Sequence, residues 1–301
     1  MILCGRPAQP SDFKDRVFEI TMTVRALGEE LDGEVGKSSP DPTRVQDLAS
    51  QLSAAIEAES KFWQTYTGDF WNAQERKCGF CESRLIGAAP QLEHFYPKSS
   101  WDELQAQGIE WGTQRVRKRA QRRISPIGFW WLAFNWDNWL AACGVCNSRW
   151  KKCFFPVQGL APGHTARLHS SYRPEPLLLN PFDGPDPETH LVYDDLGAIG
   201  PRPESPYGEV TIRTCGLHRP SLAKERKRIY LHAKHQAEIW IRALEQMNDL
   251  ALSGSTQGLV DLCAPDAPYS GVARYVVYEV TGIPYSEFRE IPRTFRSGGT
   301  P

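Results

Sequence analysis

The sequence lacks the long apolar run that a membrane-spanning helix requires. Its longest uninterrupted apolar stretch, Phe129–Phe134, has six residues, whereas a bilayer-spanning helix needs about 20. The segment Met1–Arg6 is too short for a signal-peptide core. With neither a membrane span nor a secretory signal expected, the eight cysteines predict a reducing, cytoplasmic setting and metal binding rather than disulfides.

The sequence also has little net charge. The formal value is −1, with 41% hydrophobic and 24% charged residues, which is typical of an ordinary globular protein. A phosphate-binding P-loop is missing too, because Leu31 stands where its first glycine would lie. The charge is nevertheless uneven: residues 114–152 carry nine Lys and Arg against the single acid Asp137. This basic zone predicts a contact surface for nucleic acid on a nearly neutral protein.

We predict an α+β fold in three parts: a helical N-terminal region over residues 1–75, a core over 76–156 and a C-terminal accessory region over 157–301. The stretch Phe129–Phe134 is expected in the core, with an exposed interface patch as the alternative. Apolar periodicity and turn signals predict helices over residues 11–33, 43–74, 107–123, 140–154, 221–252 and 272–280. Strands are predicted in a β-hairpin over Leu85–Phe95 and in the segments 177–181, 190–193 and 211–217.

Four cysteines form two C-x-x-C pairs that are separated by 61 residues. A two-residue spacer lets one turn direct both sulfurs at a single ion, and zinc takes four thiolates tetrahedrally. Two such turns fill the coordination shell, so the ion bound by Cys78, Cys81, Cys143 and Cys146 is predicted to be structural. A redox C-x-x-C is the alternative, although neither pair lies in a βαβ pattern. The isolated cysteines are expected to be buried small hydrophobes, namely Cys153, Cys215 and Cys263.

An acid–histidine pair lies between the cysteine pairs. His94 can take a proton from water near neutral pH, and Glu93 offers the oxygen ligand that Mg²⁺ or Mn²⁺ prefers. Neighbours on a strand point to opposite faces, so both serve one site only if the strand end bends, as Pro97 favours. Asn147 and Lys151, four residues apart on a predicted helix, could offer an oxygen to the metal and a charge to a phosphate.

The complete pattern reads C-x-x-C, Glu-His-x-x-Pro-Lys and Asp-Asn-x-Leu-x-x-Cys-x-x-Cys-Asn-x-x-x-Lys over about residues 77–156. It resembles the HNH endonucleases of the ββα-metal fold, in the H-N-N form with four zinc-binding cysteines. Residues 177–183, 216–222 and 269–275, with Arg226, are similar to the HNH nucleases of Septu-type and retron-linked antiphage systems. Those bacterial proteins usually act beside an ABC-type ATPase, so an ATPase partner is expected.

The resemblance implies a role for each matching residue. His94 becomes the general base, and Asn138 the residue that holds the loop and orients that base. Glu93 and Asn147 become the ligands of a catalytic Mg²⁺ or Mn²⁺ ion, beside the structural zinc. Two features depart from the family pattern, because many HNH proteins have His at the position of Asn147 and the basic insertion is not part of the minimal motif.

The expected function is metal-dependent hydrolysis of phosphodiester bonds, of DNA first and RNA second, in antiphage defence. As the family implies, the products would carry 3′-hydroxyl and 5′-phosphate ends. Two alternatives stay open: a non-catalytic zinc module that binds nucleic acid, and a structural subunit of a larger complex. The residues expected at the nucleic acid are Lys98, Arg115, Arg117, Lys118, Arg119, Arg149, Lys151 and Lys152.

Overall fold

The computed structural model of the chain describes residues 1–104, 121–159, 170 and 172–291. Within these residues, α-helices are combined with three antiparallel sheets of two strands each, so the predicted α+β class is confirmed. The division into three parts with boundaries near residues 75 and 156 stays a prediction. None of the helices among the described residues combines the length and apolar composition that crossing a bilayer requires.

The N-terminal region is helical, with interruptions that follow from local side-chain bonds. The helix predicted over residues 11–33 is broken at Thr21, whose hydroxyl donates to Val17 O at 2.6 Å, a bond that favours bending. The helix predicted from residue 43 begins at Pro42, and its N-terminal cap is Asp41, because the Asp41 carboxylate accepts from Thr43 N at 2.8 Å. The helices are α1 (Phe13–Ile20), α2 (Met22–Val35), α3 (Pro42–Ala58), α4 (Ser60–Thr65) and α5 (Thr67–Ala73).

Six short strands form the sheets in the part of the chain that the structure describes. The sheets pair β1 with β4, β2 with β3 and β5 with β6, all antiparallel. The strands are β1 (Gln91–His94), β2 (Trp101–Leu104), β3 (Gln121–Ser125), β4 (Trp139–Ala142), β5 (Leu191–Tyr193) and β6 (Ile199–Pro201).

The predicted hairpin over Leu85–Phe95 is wrong, because β1 pairs with β4 instead of with the preceding residues. Ile86 is 96% exposed and Gly87 has a φ of +73°, so this stretch offers no buried strand face. All four residues of β4 are buried, and an apolar strand covered on both faces needs a partner for its backbone. The strand that carries Glu93 and His94 supplies that partner.

The basic stretch also differs from its prediction. A helix is predicted over residues 107–123, but Gln121–Ser125 forms β3, paired with β2. Residues 105–120 lie outside the described part of the chain, so the expectation for them stays untested. The helix predicted over 140–154 is shorter than expected, because β4 occupies its first residues. A π-helix, Val145–Lys151, follows, and we call it the site helix.

The β1–β4 pair lies between two hydrophobic clusters. Trp139 and Ala141 belong to a cluster built largely from the N-terminal helices, whereas Leu140 and Ala142 belong to one that extends to the C-terminal helices. This alternation follows from the two-residue period of a strand. The stretch Phe129–Phe134 is mostly buried between them, as predicted.

The C-terminal region is mainly helical. The strand predicted over residues 211–217 is wrong: the segment is helical, buries Ile212 and Cys215, and ends at Gly216 with a φ of +63°. The β-branched residues suggested a strand, but burial at a spacing of three and four residues favoured a helix. Strand β5 and the helix near 272–280 are confirmed, whereas 177–181 is not a strand. The helices are α6 (Gly208–Cys215), α7 (Pro220–Glu245), α8 (Asp249–Cys263), α9 (Ser270–Thr281) and α10 (Tyr285–Phe288).

Candidate functional site

The paired cysteines come together although they are distant in the sequence. Their four sulfur atoms lie within 4.8 Å of one another, and all four side chains, those of Cys78, Cys81, Cys143 and Cys146, are buried. Contacts with neighbouring thiols, Cys146 first, lower the pKa of Cys143 to about 7, which favours the thiolate that zinc binds. The cluster can therefore hold one tetrahedral zinc ion with no open coordination position. By contrast, Cys153 is only half-buried, unlike the prediction for it.

Hydrogen-bond donors surround these sulfur atoms. The backbone N–H of Cys143 donates to Cys78 Sγ at 3.2 Å. Arg219 Nη2 donates to Cys146 Sγ at 3.3 Å, and its Nη1 donates to Gly216 O at 2.9 Å. Because four thiolates around Zn²⁺ carry a net negative charge, Arg219 would act as a partial counter-charge to the bound ion. The sequence placed Arg219 in a family motif but gave no indication of this role.

A buried ion pair supports the first cysteine pair, and sequence reasoning missed it. The Glu82 carboxylate accepts from Ser270 Oγ at 3.0 Å and from Gly271 N at 3.2 Å, and lies 3.7 Å from Lys77 Nζ. Burial by itself raises the pKa of Glu82, but the positive charges of the amino terminus and Lys77 outweigh it and lower the pKa to about 2. The segment 269–275 therefore supports the turn that carries Cys78 and Cys81.

His94 has a fixed tautomer. Its Nε2 lies 2.9 Å from Ala133 O, and since a carbonyl oxygen only accepts, Nε2 carries the proton and Nδ1 keeps a lone pair. Trp63 packs edge-on against the imidazole, with the ring centroids 5.1 Å apart. Burial, followed by the charge of Lys98, lowers the pKa of His94 to about 3. The imidazole is therefore neutral at physiological pH, with the proton on Nε2 and a lone pair on Nδ1.

Glu93 contacts the site helix. Glu93 pairs with Leu140 across the sheet and His94 with Trp139, so the two side chains point to opposite faces of β1. Lys151 Nζ lies 2.5 Å from Glu93 Oε1 and donates to His94 O at 3.0 Å. The ion pair is close but poorly aligned, which leaves Glu93 Oε1 buried without a hydrogen-bond partner of good geometry. Burial raises the pKa of Glu93, and the charge of Lys151 opposes this rise.

Asn138 joins two segments of backbone. Its Oδ1 accepts from Tyr96 N at 2.7 Å, and its Nδ2 donates to Tyr96 O at 3.0 Å and to Leu132 O at 2.9 Å. The side chain is buried. The loop after β1 is thereby held against the short 3₁₀ helix Trp130–Leu132, which precedes Ala133 and its contact with His94.

One cavity of about 760 Å³ brings several of these groups together. Glu93, His94 and Asn147 line it, and so do Lys98 and Lys152. Glu93, whose Oε1 is ion-paired with Lys151, and the side-chain amide of Asn147 line the same cavity. Both offer the oxygen ligands that a divalent ion prefers. Unlike His94, Asn147 is only half-buried.

The N-terminal helices form one wall of this cavity. Glu57 and Trp63 line it from α3 and α4. Lys98 Nζ lies 2.7 Å from Glu57 Oε2 and 5.2 Å from the centroid of a Trp63 ring. The region predicted as a helical addition therefore contributes directly to the site.

The residues expected at nucleic acid separate into three groups. Arg149 and Lys152 are exposed and Lys98 is half-buried, and of these three Lys98 and Lys152 line the cavity. Lys151 is 0% exposed, so the expected phosphate contact does not hold for it: its ammonium is already used by Glu93 and His94. The remaining four lie outside the described residues, namely Arg115, Arg117, Lys118 and Arg119.

Comparison with curated proteins finds a clear relative. Over 154 residues, the chain is 34% identical to the Septu protein PtuB of Bacillus mycoides (strain KBAB4). The match covers 51% of this chain and 46% of the relative, so the chain spans about half the length of the protein it resembles. No protein-family model and no solved structure matches the chain. The similarity supports the relation to Septu-type systems that the C-terminal segments suggested.

Proposed function

We propose that this chain is a metal-dependent HNH-type endonuclease that hydrolyses phosphodiester bonds in nucleic acid, DNA first, within a Septu-type antiphage defence system. The observation that carries the proposal is the neutral His94, fixed by Ala133 O, on a cavity that it shares with Glu93 and Asn147. The 34% identity to a Septu protein supports the setting in antiphage defence.

Each residue has a defined task in this proposal. Nδ1 of His94 removes a proton from the attacking water, because Ala133 O holds the other ring nitrogen in its protonated form. Asn138 keeps the loop after β1 in register with Ala133. A divalent ion on Glu93 and Asn147 would stabilise negative charge on the phosphate and leaving oxygen when bound. Lys98 and Lys152 hold the phosphate backbone at the cavity.

Plasmid nicking in the presence of Mg²⁺ or Mn²⁺ tests the proposal. His94→Ala should cut at least about 10²-fold more slowly, the lower end of the effect expected for one general base, and no metal concentration should restore the rate. Asn147→Ala should be partly rescued by raising the metal concentration. The matched control is His235→Ala, at an exposed position on α7. A folded His94→Ala protein that cuts at the wild-type rate would refute the proposal.

A second function is favoured by one specific observation. His94 is only 6% exposed and Glu93 is ion-paired with Lys151, as would suit a non-catalytic zinc module that binds nucleic acid. Such a module, or a structural subunit, needs neither the free Nδ1 nor metal-dependent turnover. Equal binding of a DNA duplex by wild type and His94→Ala, with no nicking by either in any metal, would establish the module.

The Septu similarity also motivates a protein partner. We expect an ABC-type ATPase encoded nearby to bind this chain and to restrain or direct its activity. Co-expression of both genes with an affinity tag on one protein measures this association. Recovery of the free nuclease alone, together with full activity in isolation, would count against the partner.

A further inference from the structure

Lys151 is the most deeply buried cation beside the proposed active site. Its side chain is 0% exposed, it begins on the last turn of the site helix, and its ammonium reaches back to β1. There it lies 2.5 Å from Glu93 Oε1 and donates to His94 O at 3.0 Å. A charge buried to this extent is kept only where a partner compensates it.

The position of this ammonium bears on metal binding. Two carboxylates line the cavity among the described residues, Glu57 and Glu93, and Glu57 is paired with Lys98. The charge of Glu93, next to His94 in the chain, is what would attract a divalent ion in the proposed site. A positive charge in direct contact with that carboxylate repels a second cation strongly, because screening by water is weak at a buried position. The Lys151 ammonium and a divalent ion would therefore compete for the negative charge of Glu93.

We propose that Lys151 is a built-in competitor of the catalytic ion: its ammonium neutralises Glu93 and sets the affinity of the site for divalent cations low. This inference rests on the proposed function in taking Glu93 and Asn147 as the metal-binding side chains. The same ammonium holds the carbonyl of His94, so Lys151 also positions the end of β1. Lys151 is thus a positioning residue, and its effect on the ion is measurable without any cleavage.

The test measures Mn²⁺ binding to the zinc-loaded full chain by electron paramagnetic resonance, with no nucleic acid present. Lys151→Gln removes the charge but keeps a donor for His94 O, and Lys151→Met removes both. Both variants should bind Mn²⁺ at least about tenfold more tightly than wild type, since a repulsive charge at contact distance is gone. Lys151→Arg, which keeps the charge, should bind about as wild type does, and so should Lys152→Gln, which removes an exposed charge from the same cavity. Tighter Mn²⁺ binding by Lys151→Gln alone, without the same change in Lys151→Met, also supports the proposal.

Removal of Lys151 leaves Glu93 buried without a counter-charge, so a variant could require Mn²⁺ in order to fold. In that case the thermal midpoint is followed against Mn²⁺ concentration, and stabilisation of Lys151→Gln well beyond that of wild type supports the proposal. A folded Lys151→Gln protein with wild-type Mn²⁺ affinity overturns it, and so does a failure of Mn²⁺ to rescue an unfolded one. Because cleavage is not measured, a folded His94→Ala protein that cuts at the wild-type rate would refute the nuclease assignment and leave this result standing.

Discussion

At the scale of single residues, the site depends on hydrogen bonds between side chains and backbone groups. Asn138 saturates three backbone groups, and Ala133 O fixes the tautomer of His94. Gln74 does the same for β4: its Oε1 accepts from Ala141 N at 2.7 Å and its Nε2 donates to Ala141 O at 2.7 Å. Such bonds orient the site because a buried backbone group without a partner is costly.

Asn138→Ala should therefore reduce both stability and cleavage. The substitution leaves buried groups of Tyr96 and Leu132 without partners, which costs at least about 2 kcal/mol in the free energy of unfolding. The control is Asn135→Ala, from the same turn, which removes one bond from Asp137 N and should cost about 1 kcal/mol. Urea unfolding of both variants measures the difference. Equal destabilisation would mean that the three bonds of Asn138 do not hold the loop.

At the scale of elements, the C-terminal region completes the core around the site helix. Gly216, which ends α6, approaches Trp150 so closely that a Cβ would lie 1.9 Å from the indole ring. Arg219, which directly precedes α7, donates to the sulfur of Cys146 on the site helix. These contacts bring the segment 216–222 against the helix that carries Cys146.

Gly216→Ala should be more damaging than a glycine substitution with the same backbone strain. Gly216 has a φ of +63° and Gly282 one of +72°, but nothing lies within 4 Å of a Cβ at Gly282. Gly282→Ala should cost about 1 kcal/mol from strain alone, and Gly216→Ala a further 1–3 kcal/mol, roughly, from the clash with Trp150. Thermal unfolding compares the two. If their costs agree, the packing against Trp150 is loose enough to absorb a methyl group.

Arg219→Gln should weaken zinc retention and leave the four ligands intact. Removing an outer-sphere partner of a metal ligand typically reduces affinity about 10–100-fold. Arg228→Gln is the control, because Arg228 lies on α7, the helix that begins directly after Arg219. Arg228 is 75% exposed and pairs with Glu225 alone among the ion pairs found in the described residues. Zinc release to a chromogenic chelator reports the affinity directly. Equal release from both variants would show that Arg219 is not coupled to the cysteine cluster.

At the scale of the whole molecule, the four-cysteine cluster joins distant parts of the chain. The four cysteines connect the turn after α5 to the start of the site helix. The two hydrophobic clusters of the fold meet at the β1–β4 pair. We expect about one zinc ion per chain, and Cys143→Ser should abolish the fold as well as activity, because zinc binding contributes folding free energy at such sites. Elemental analysis and circular dichroism measure both quantities. Freshly purified, folded protein without zinc would contradict this.

The basic run belongs to this scale as well, since it would act through its summed charge. Four of its residues lie outside the described chain, and their binding to phosphates stays a prediction. Replacing Arg115, Arg117, Lys118 and Arg119 together by Ala should reduce the salt dependence of duplex binding by roughly 0.9 log units for each phosphate that is no longer neutralised. Filter binding over a range of NaCl concentrations gives this slope. An unchanged slope would identify the run as a solvated surface.

Local chemistry follows from the sequence alone. The spacing of Cys78, Cys81, Cys143 and Cys146 predicted the cluster, and short-range periodicity predicted α9 and most of the N-terminal helical content. These features could be predicted because each depends on a few neighbouring residues, or on ligands that only a metal would bring together.

Which elements pair, and what each charge faces, depends on the packed fold. β1 joined β4 instead of forming a hairpin, since a strand buried on both faces required a partner from elsewhere in the chain. Residues 211–217 became a helix because burial outweighed β-propensity. Lys151 turned inward to Glu93, and Arg219 turned to a thiol cluster more than 70 positions away. Long-range electrostatic pairing has no period in the sequence, and only folding places such groups in contact.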